Sequence, residues 1–393
     1  MRKVLLFLFF LGATASYARD FNLYLDADLT TFKASGVSIQ RGIQVALDEF
    51  NAKNNKDKIN LITLDHRGNT RRSLLNFKKM LEDKNALGIF GGMHSPPLIT
   101  NNKFINDNKI LTFVSWAAGA PITRSKTKEN WIYRLSIDDS QAGEYISKYA
   151  VKEKGCKSPY LLLENTPWGK SNLVNMNRGL KKFGVKPSDK KLFGWGISKS
   201  ASSQVTESII VSKADCIFFV GNASDAKRFF NSFGVNKLQI PIYSHWGITG
   251  GDNKSIAKVI NDNKLDVSII QTNFSFSNKK QSMFHKRVKE NIKKKYNYTL
   301  DQEIRPVSGW VHSYDLTLLF LKSFQGLDSS GEITHIRQLL KDNLENLKNP
   351  TQGLIKKYLK PFSKYSKENK NAHEALDKND YTMKKYSDSG DLM

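Results

Sequence analysis

The sequence predicts an α/β protein of two lobes, each a parallel β-sheet flanked by helices. Short, nearly continuous apolar runs alternate with amphipathic stretches of helical period, as buried parallel strands and their crossover helices do. The alternation falls into two series, one before and one after about residue 136. The 393 residues also suit two domains at roughly 100–200 residues each.

The first element is a leader. Arg2-Lys3 precede an apolar run over 4–11, and small residues end in Ser16-Tyr17-Ala18. A basic start, a short apolar core and a small-x-small end mark a secretory signal peptide, with cleavage expected after Ala18. The run is too short to span a bilayer, which takes roughly 20 residues. Cleavage removes 18 residues, two basic and none acidic, lowering the formal net charge from +24 to +22. No cysteine lies near the site and no later stretch has 18 consecutive apolar residues. A soluble periplasmic protein without a stable membrane anchor is expected. Such a charge would suggest nucleic acid in a cytosolic protein, but export argues against that. The lysines are scattered (Lys78-Lys79, Lys181-Lys182, Lys293-Lys294-Lys295) and alternate with apolar residues, as on solvated helix faces.

In the first series, 59–64, 86–90 and 110–114 read as strands. Ile39, Ile43, Ala46, Leu47 and Phe50 share one face of a helix. Leu74, Leu75, Met80 and Leu81 mark a second helix, capped by Asn69 or Thr70. In the second series, strands 160–164, 216–220 and 267–271 are followed by helices 169–183, 224–233 and 281–295. Strand–helix alternation with short loops implies parallel sheets. Residues 346–393 are rich in Lys, Asn and Ser, as a disordered tail would be, yet Leu354, Tyr358, Phe362 and Tyr381 suggest partial docking. Cys156 and Cys216, the two cysteines, stand at strand starts. An oxidising compartment permits a disulfide, and two buried thiols are the alternative.

In open parallel sheets, ligands bind beyond the carboxyl ends of strands. The unusual residues of this chain fall there: Gly91-Gly92-Met93-His94-Ser95-Pro96-Pro97, Ser115-Trp116-Ala117-Ala118-Gly119, Glu164-Asn165-Thr166-Pro167-Trp168, Gly221-Asn222 and Ser244-His245-Trp246-Gly247. Three of the six tryptophans lie in these loops. An interlobe cleft lined by aromatics, hydroxyls and backbone amides suits a small molecule.

These loops also carry a family resemblance. Residues 42–51 resemble the first helix of the type I periplasmic binding proteins, in particular the Leu/Ile/Val-binding branch. Asp65-His66-Arg67-Gly68-Asn69 resembles their acidic turn. Tyr133-Arg134-Leu135-Ser136 with Asp138-Asp139 is similar to their first crossover, and Tyr314-Asp315 to their late helix. Trp116-Ala117-Ala118-Gly119, His245-Trp246-Gly247-Ile248 and 353–356 look closer to an amide/urea-type or sensor-associated subgroup. The resemblance implies two Rossmann-like lobes joined by three crossovers, closing on ligand like a flytrap. The lobes would be 19–135 with 274–345, and 136–273 with 346–393.

The resemblance also implies ligand-binding roles. Ser95, at a helix start, matches a serine that receives a ligand carboxylate; a plain N-cap is the alternative. Ala117 matches a backbone carbonyl that meets a ligand ammonium, beside Trp116 and Ala118. Gly119 stands in place of a threonine, so its hydroxyl is lost. Trp168 stands in place of a tyrosine, and Asn222 at a second aromatic position. Trp246 replaces the acid that would pair a buried ammonium, and an unpaired buried charge is costly. A plain α-amino acid therefore fits poorly, unless Asp26 or Asp28 supplies that acid. Pro96 and Pro97 lack N–H groups, thinning the anion cradle. Trp116, Trp168 and Trp246 would wall a pocket for an apolar or planar body with one carboxylate or amide.

No H-E-x-x-H, G-x-S-x-G or G-x-x-x-x-G-K-[ST] occurs. His94 and His245 both fall in cleft loops, but two histidines without a carboxylate or Cys constellation make a poor metal site. A non-enzymatic, monomeric binding protein without cofactor is expected, delivering an amino-acid-like, amide or aromatic carboxylate ligand to an inner-membrane ABC permease. The alternatives are a sensory partner of a membrane histidine kinase or cyclase, and an exported hydrolase on a similar fold.

Overall fold

The structure is a computed structural model describing residues 19–54, 56–276, 281–300 and 303–393; the expected leader lies outside them. Five strands, β1 (Asp20–Ala27), β2 (Lys58–Asp65), β3 (Ala86–Gly91), β4 (Thr112–Val114) and β5 (Ile132–Arg134), form one parallel sheet in the order β2-β1-β3-β4-β5. Helices α1 (Lys33–Asn51), α2 (Thr70–Glu82), α3 (Ser95–Thr100) and α4 (Asn102–Asp107) connect them. Strand β3 is buried at every position, the reason for its continuous apolar run.

The face expected of α1 is the buried one, with Phe50 half-buried at its end. In α2 the expectation holds for the cap, since Asn69 Oδ1 accepts the N–H groups of Arg71 (2.9 Å) and Arg72 (3.1 Å). Of the four residues that mark the helix, Met80 is buried beside Ser73 and Phe77, Leu74 and Leu81 are half-buried, and Leu75 is 62% exposed.

The second series repeats the pattern. It comprises α5 (Asp139–Lys148), β6 (Pro159–Glu164), α6 (Pro167–Lys182), β7 (Asp189–Phe193), α7 (Lys199–Val211), β8 (Cys216–Val220), α8 (Ala223–Val235), β9 (Ile242–Ser244), α9 (Asn253–Asp262) and β10 (Val267–Thr272). The sheet order β7-β6-β8-β9-β10 reproduces that of the first lobe, so each sheet has its switch point beside its first strand. Cys156 and Cys216 form a disulfide with Cα atoms 6.0 Å apart, which resolves the two readings.

The chain then returns through α10 (Met283–Tyr296), α11 (Val307–Phe324) and α12 (Ile333–Glu345). Helices α11 and α12 pack on α1 and β3 of the first lobe. A Cβ on Gly42 of α1 would lie 2.5 Å from the Trp310 carbonyl, so this helix pair needs glycine to come so close. The expected boundary grouped 346–393 with the second lobe, but 351–375 lies on the first. Here β11 (Thr351–Gln352) pairs with β12 (Lys357–Tyr358). Buried Asp315 accepts the Leu354 N–H (2.6 Å), the Ile355 N–H (3.0 Å) and the Tyr358 hydroxyl (2.7 Å). Further on, Arg134 and Ala375 bond through their main chains, and Arg134 Nη2 meets Glu374 at 2.6 Å. Past this point β13 (Tyr381–Lys384) pairs antiparallel with β10. The tail thus makes the third passage between sheets, after those following β5 and β10. The four apolar residues expected to dock, Leu354, Tyr358, Phe362 and Tyr381, are all buried.

Candidate functional site

The carboxyl ends of both sheets face one another across the lobe boundary. Loops after β3 and β4 supply Ser95, Trp116 and Ala118; those after β6, β8 and β9 supply Trp168, Asn222 and Trp246. All six line one cavity with Met93, His94, Pro96, Glu164 and Gly247. The space open to the centre of a water-sized sphere is about 10 Å³, room for about one water. The lobes are therefore shut on each other. Trp116 and Trp246 approach with ring centroids 5.9 Å apart. A Cβ on Gly247 would lie 2.5 Å from both the Trp168 ring and the Gly221 carbonyl. The Ala120 N–H reaches across to Ser171 Oγ on α6 at 3.1 Å.

Several expected residues sit differently. Ser95 is the first residue of α3 but does not cap it; its Oγ accepts the Gly119 N–H at 3.0 Å. A Cβ on Gly119 would lie 2.8 Å from Ile99 and 3.1 Å from Ser95, which is why glycine replaces a larger residue there. Ala117 is buried in the first lobe's core, away from the cavity lining. The Gly119 carbonyl accepts from Arg134 Nη1 at 2.9 Å, and the Ala117 carbonyl lies 3.4 Å from the same atom. Neither acid suggested as a replacement lines the cavity. Asp26 takes hydrogen bonds from Ser73 and Asn76 inside the first lobe, and burial lifts its carboxyl to about 6. Asp28 accepts the N–H groups of Thr30 and Thr31 and lies 3.4 Å from His94 Nε2. His245 is fully buried behind Trp168, its ring edge-on to that indole at 5.2 Å.

The fold places a carboxylate beside each cleft histidine, which sequence spacing did not reveal. His245 Nε2 lies 3.1 Å from Asp139 Oδ1, and the same oxygen accepts Trp168 Nε1–H at 3.2 Å. His245 Nδ1 accepts the Trp246 N–H at 2.9 Å, while Nε2 faces Asp139 without a hydrogen bond to it. Among the described residues, the only grouping able to hold a metal is Cys156, Asp215 and Cys216, and its sulfurs are joined to each other.

Two residues were overlooked. Glu164, fully buried at the end of β6, accepts from Thr166 Oγ1 (2.6 Å), Trp195 Nε1 (2.9 Å) and Asn222 Nδ2 (3.1 Å). Burial drives its carboxyl up to about 7 against these bonds, with Asp225 and Asp139 adding to the rise. Trp195, in the loop after β7, spans the mouth: its ring lies 5.3 Å from His94 and 6.4 Å from Phe32 of the opposite lobe. The signal for Glu164 was its place at a strand's carboxyl end; for Trp195 none was present.

Two similar parallel sheets, three passages between them and a cleft at facing strand ends define a two-lobed binding protein. The chain belongs to the family described as periplasmic binding protein, of type I, which matches residues 25–357. It is similar to a type 1 periplasmic binding protein from Bordetella pertussis Tohama I, at 15% identity and TM-score 0.77, covering 95% of this chain and 99% of that one. It is also similar to LivJ, the branched-chain amino acid transporter substrate-binding protein of Streptococcus pneumoniae, solved with isoleucine (16%, 0.75, 95% and 97%). A third is an ABC transporter solute-binding protein of Rhodopseudomonas palustris HaA2 with p-hydroxybenzoic acid (14%, 0.77, 95% of each). No curated protein matches in sequence. At such identity the structures establish the shared fold. No helix among the described residues is long and apolar enough to cross a membrane.

Proposed function

We propose that the protein, exported with cleavage after Ala18, captures a small organic molecule between its lobes and hands it to an ABC importer, without catalysis. The observation that carries this is the convergence of Ser95, Trp116, Trp168, Asn222 and Trp246, from loops far apart in sequence, on one interlobe cavity. Its closed size implies that the lobes part to admit a guest, and the passages between the sheets are where they would hinge. The relatives' cargoes, isoleucine and p-hydroxybenzoic acid, are apolar or planar bodies, of a kind that indole walls suit.

Thermal unfolding and tryptophan fluorescence test this against a panel of amino acids, amines, amides and aromatic acids. Ligand at 100 times Kd stabilises by about 2.7 kcal/mol, and a guest among three indoles should alter their emission. No response to any compound, from protein stripped of bound ligand by unfolding and refolding, would reject the reading.

A further inference from the structure

We propose that a second cavity, beside the passage that follows β10, binds a small oxyanion between Lys384, Gln271 and the first turn of α11. It shares no lining residue with the cleft cavity, so the inference does not depend on the cleft's guest. Its walls come from both sides of the lobe boundary. Gln271 and Thr272 end β10 and Lys384 ends β13, whereas Val307, Ser308 and Val311 belong to α11, which packs on α1 of the first lobe. His312 links the two cavities: its ring lies 5.3 Å from that of Trp246, and its Nε2 meets the Thr272 hydroxyl at 3.1 Å. About 50 Å³ is open to the centre of a water-sized sphere. That is room for roughly three to five waters, or for one ion of acetate or phosphate size.

The polar groups there offer hydrogens and positive charge. Gln271 is 4% exposed, and its Oε1 accepts the Ser308 hydroxyl at 3.2 Å. Its Nε2 is buried at the cavity wall with no partner among the described residues. A buried amide donor left unsatisfied costs about 1–3 kcal/mol, so it points to an acceptor that the chain does not supply. Lys384 is half-buried, and its Nζ donates to the Phe274 carbonyl at 2.9 Å. Burial lowers its pKa, and no acid offsets the fall. Asp391, the one acid in the lining, is paired with Arg305, the other cation, which leaves the Lys384 charge unbalanced. No side chain caps α11, and the N–H groups of its first turn have no acceptor within the helix. The positive end of this 18-residue helix thus opens on the same space. An anion with several oxygens answers the amide, the ammonium and the helix end together.

Protein stripped of small molecules by unfolding and refolding is titrated calorimetrically with acetate, phosphate and sulfate in a zwitterionic buffer of low ionic strength. At least one should bind, at one ion per chain. Tighter acetate would mark an organic carboxylate as the occupant, and tighter phosphate or sulfate an inorganic ion. K384M should weaken binding by about tenfold or more, as loss of a charge-assisted hydrogen bond does. Q271E should do the same, since it sets a carboxylate beside the lysine while keeping an oxygen for Ser308. If one of the two variants does not fold, the other decides. W168A, a change in the cleft, should leave the affinity for the ion as it is. No binding of any of the three ions to the wild type would overturn the inference and leave the cavity to water. So would full affinity in either folded variant, or an affinity lost in W168A, which would move the ion into the cleft. A cleft that responds to no guest would reject the proposed function and leave this result standing.

Discussion

Glu164→Gln tests the electrostatics of the cleft without knowledge of the ligand. In the folded protein burial moves this carboxyl from 4.5 to about 7. For an acid displaced upward, folding carries no penalty below the unfolded value. The penalty grows as pH rises through the interval and is constant above the folded value. Fully ionised, Glu164 therefore costs about 3 kcal/mol. Glutamine removes the charge and can keep the bonds. Its oxygen can accept from Trp195 and Asn222, and its amide can donate to Thr166 Oγ1, a hydroxyl free to turn. Urea unfolding followed by tryptophan fluorescence should show the variant more stable at pH 8. Its advantage over the wild type should grow by about 2.5 kcal/mol between pH 5 and pH 8. Other groups titrate in both proteins and largely cancel in the difference. An advantage independent of pH, or a loss at pH 8, would refute the assignment of a strained acid.

Replacing Cys156 and Cys216 by alanine opens a loop of sequence separation 60, and loop entropy predicts a loss of about 4 kcal/mol. Calorimetry of the double variant at neutral pH checks it; an unchanged melting temperature would show that the bridge contributes nothing. Glu374→Ala leaves Arg134, which is fully buried, with one carboxylate fewer, at a cost of about 3–5 kcal/mol. It should also release the tail, read as proteolysis between residues 360 and 380; a protease-resistant variant would contradict this account of docking.

The strands with continuous apolar runs were legible because both faces of each are covered, and β3, β6 and β8 are buried along their whole lengths. Strand β7 was not. It is an edge strand whose Asp-Lys-Lys start is exposed, and charge there protects an open edge rather than marking a loop. In α2 the expected Met80 turns inward with Phe77, and of the residues named only Leu75 faces water. The resemblance placed Trp168, Asn222 and Trp246 at the cleft but set Ala117 there as well, though its neighbours are those of the first lobe's core.

Local sequence by itself determined the alternation, the parallel sheets and the loops at the strand ends, because period and turn chemistry act within a dozen residues. Which partners the buried acids near the cleft meet was decided only by the tertiary structure. Asp139 meets His245 across 106 positions of chain, and Glu164 meets Trp195 across 31. These meetings depend on how the second lobe folds its separate loops together, which no local pattern records.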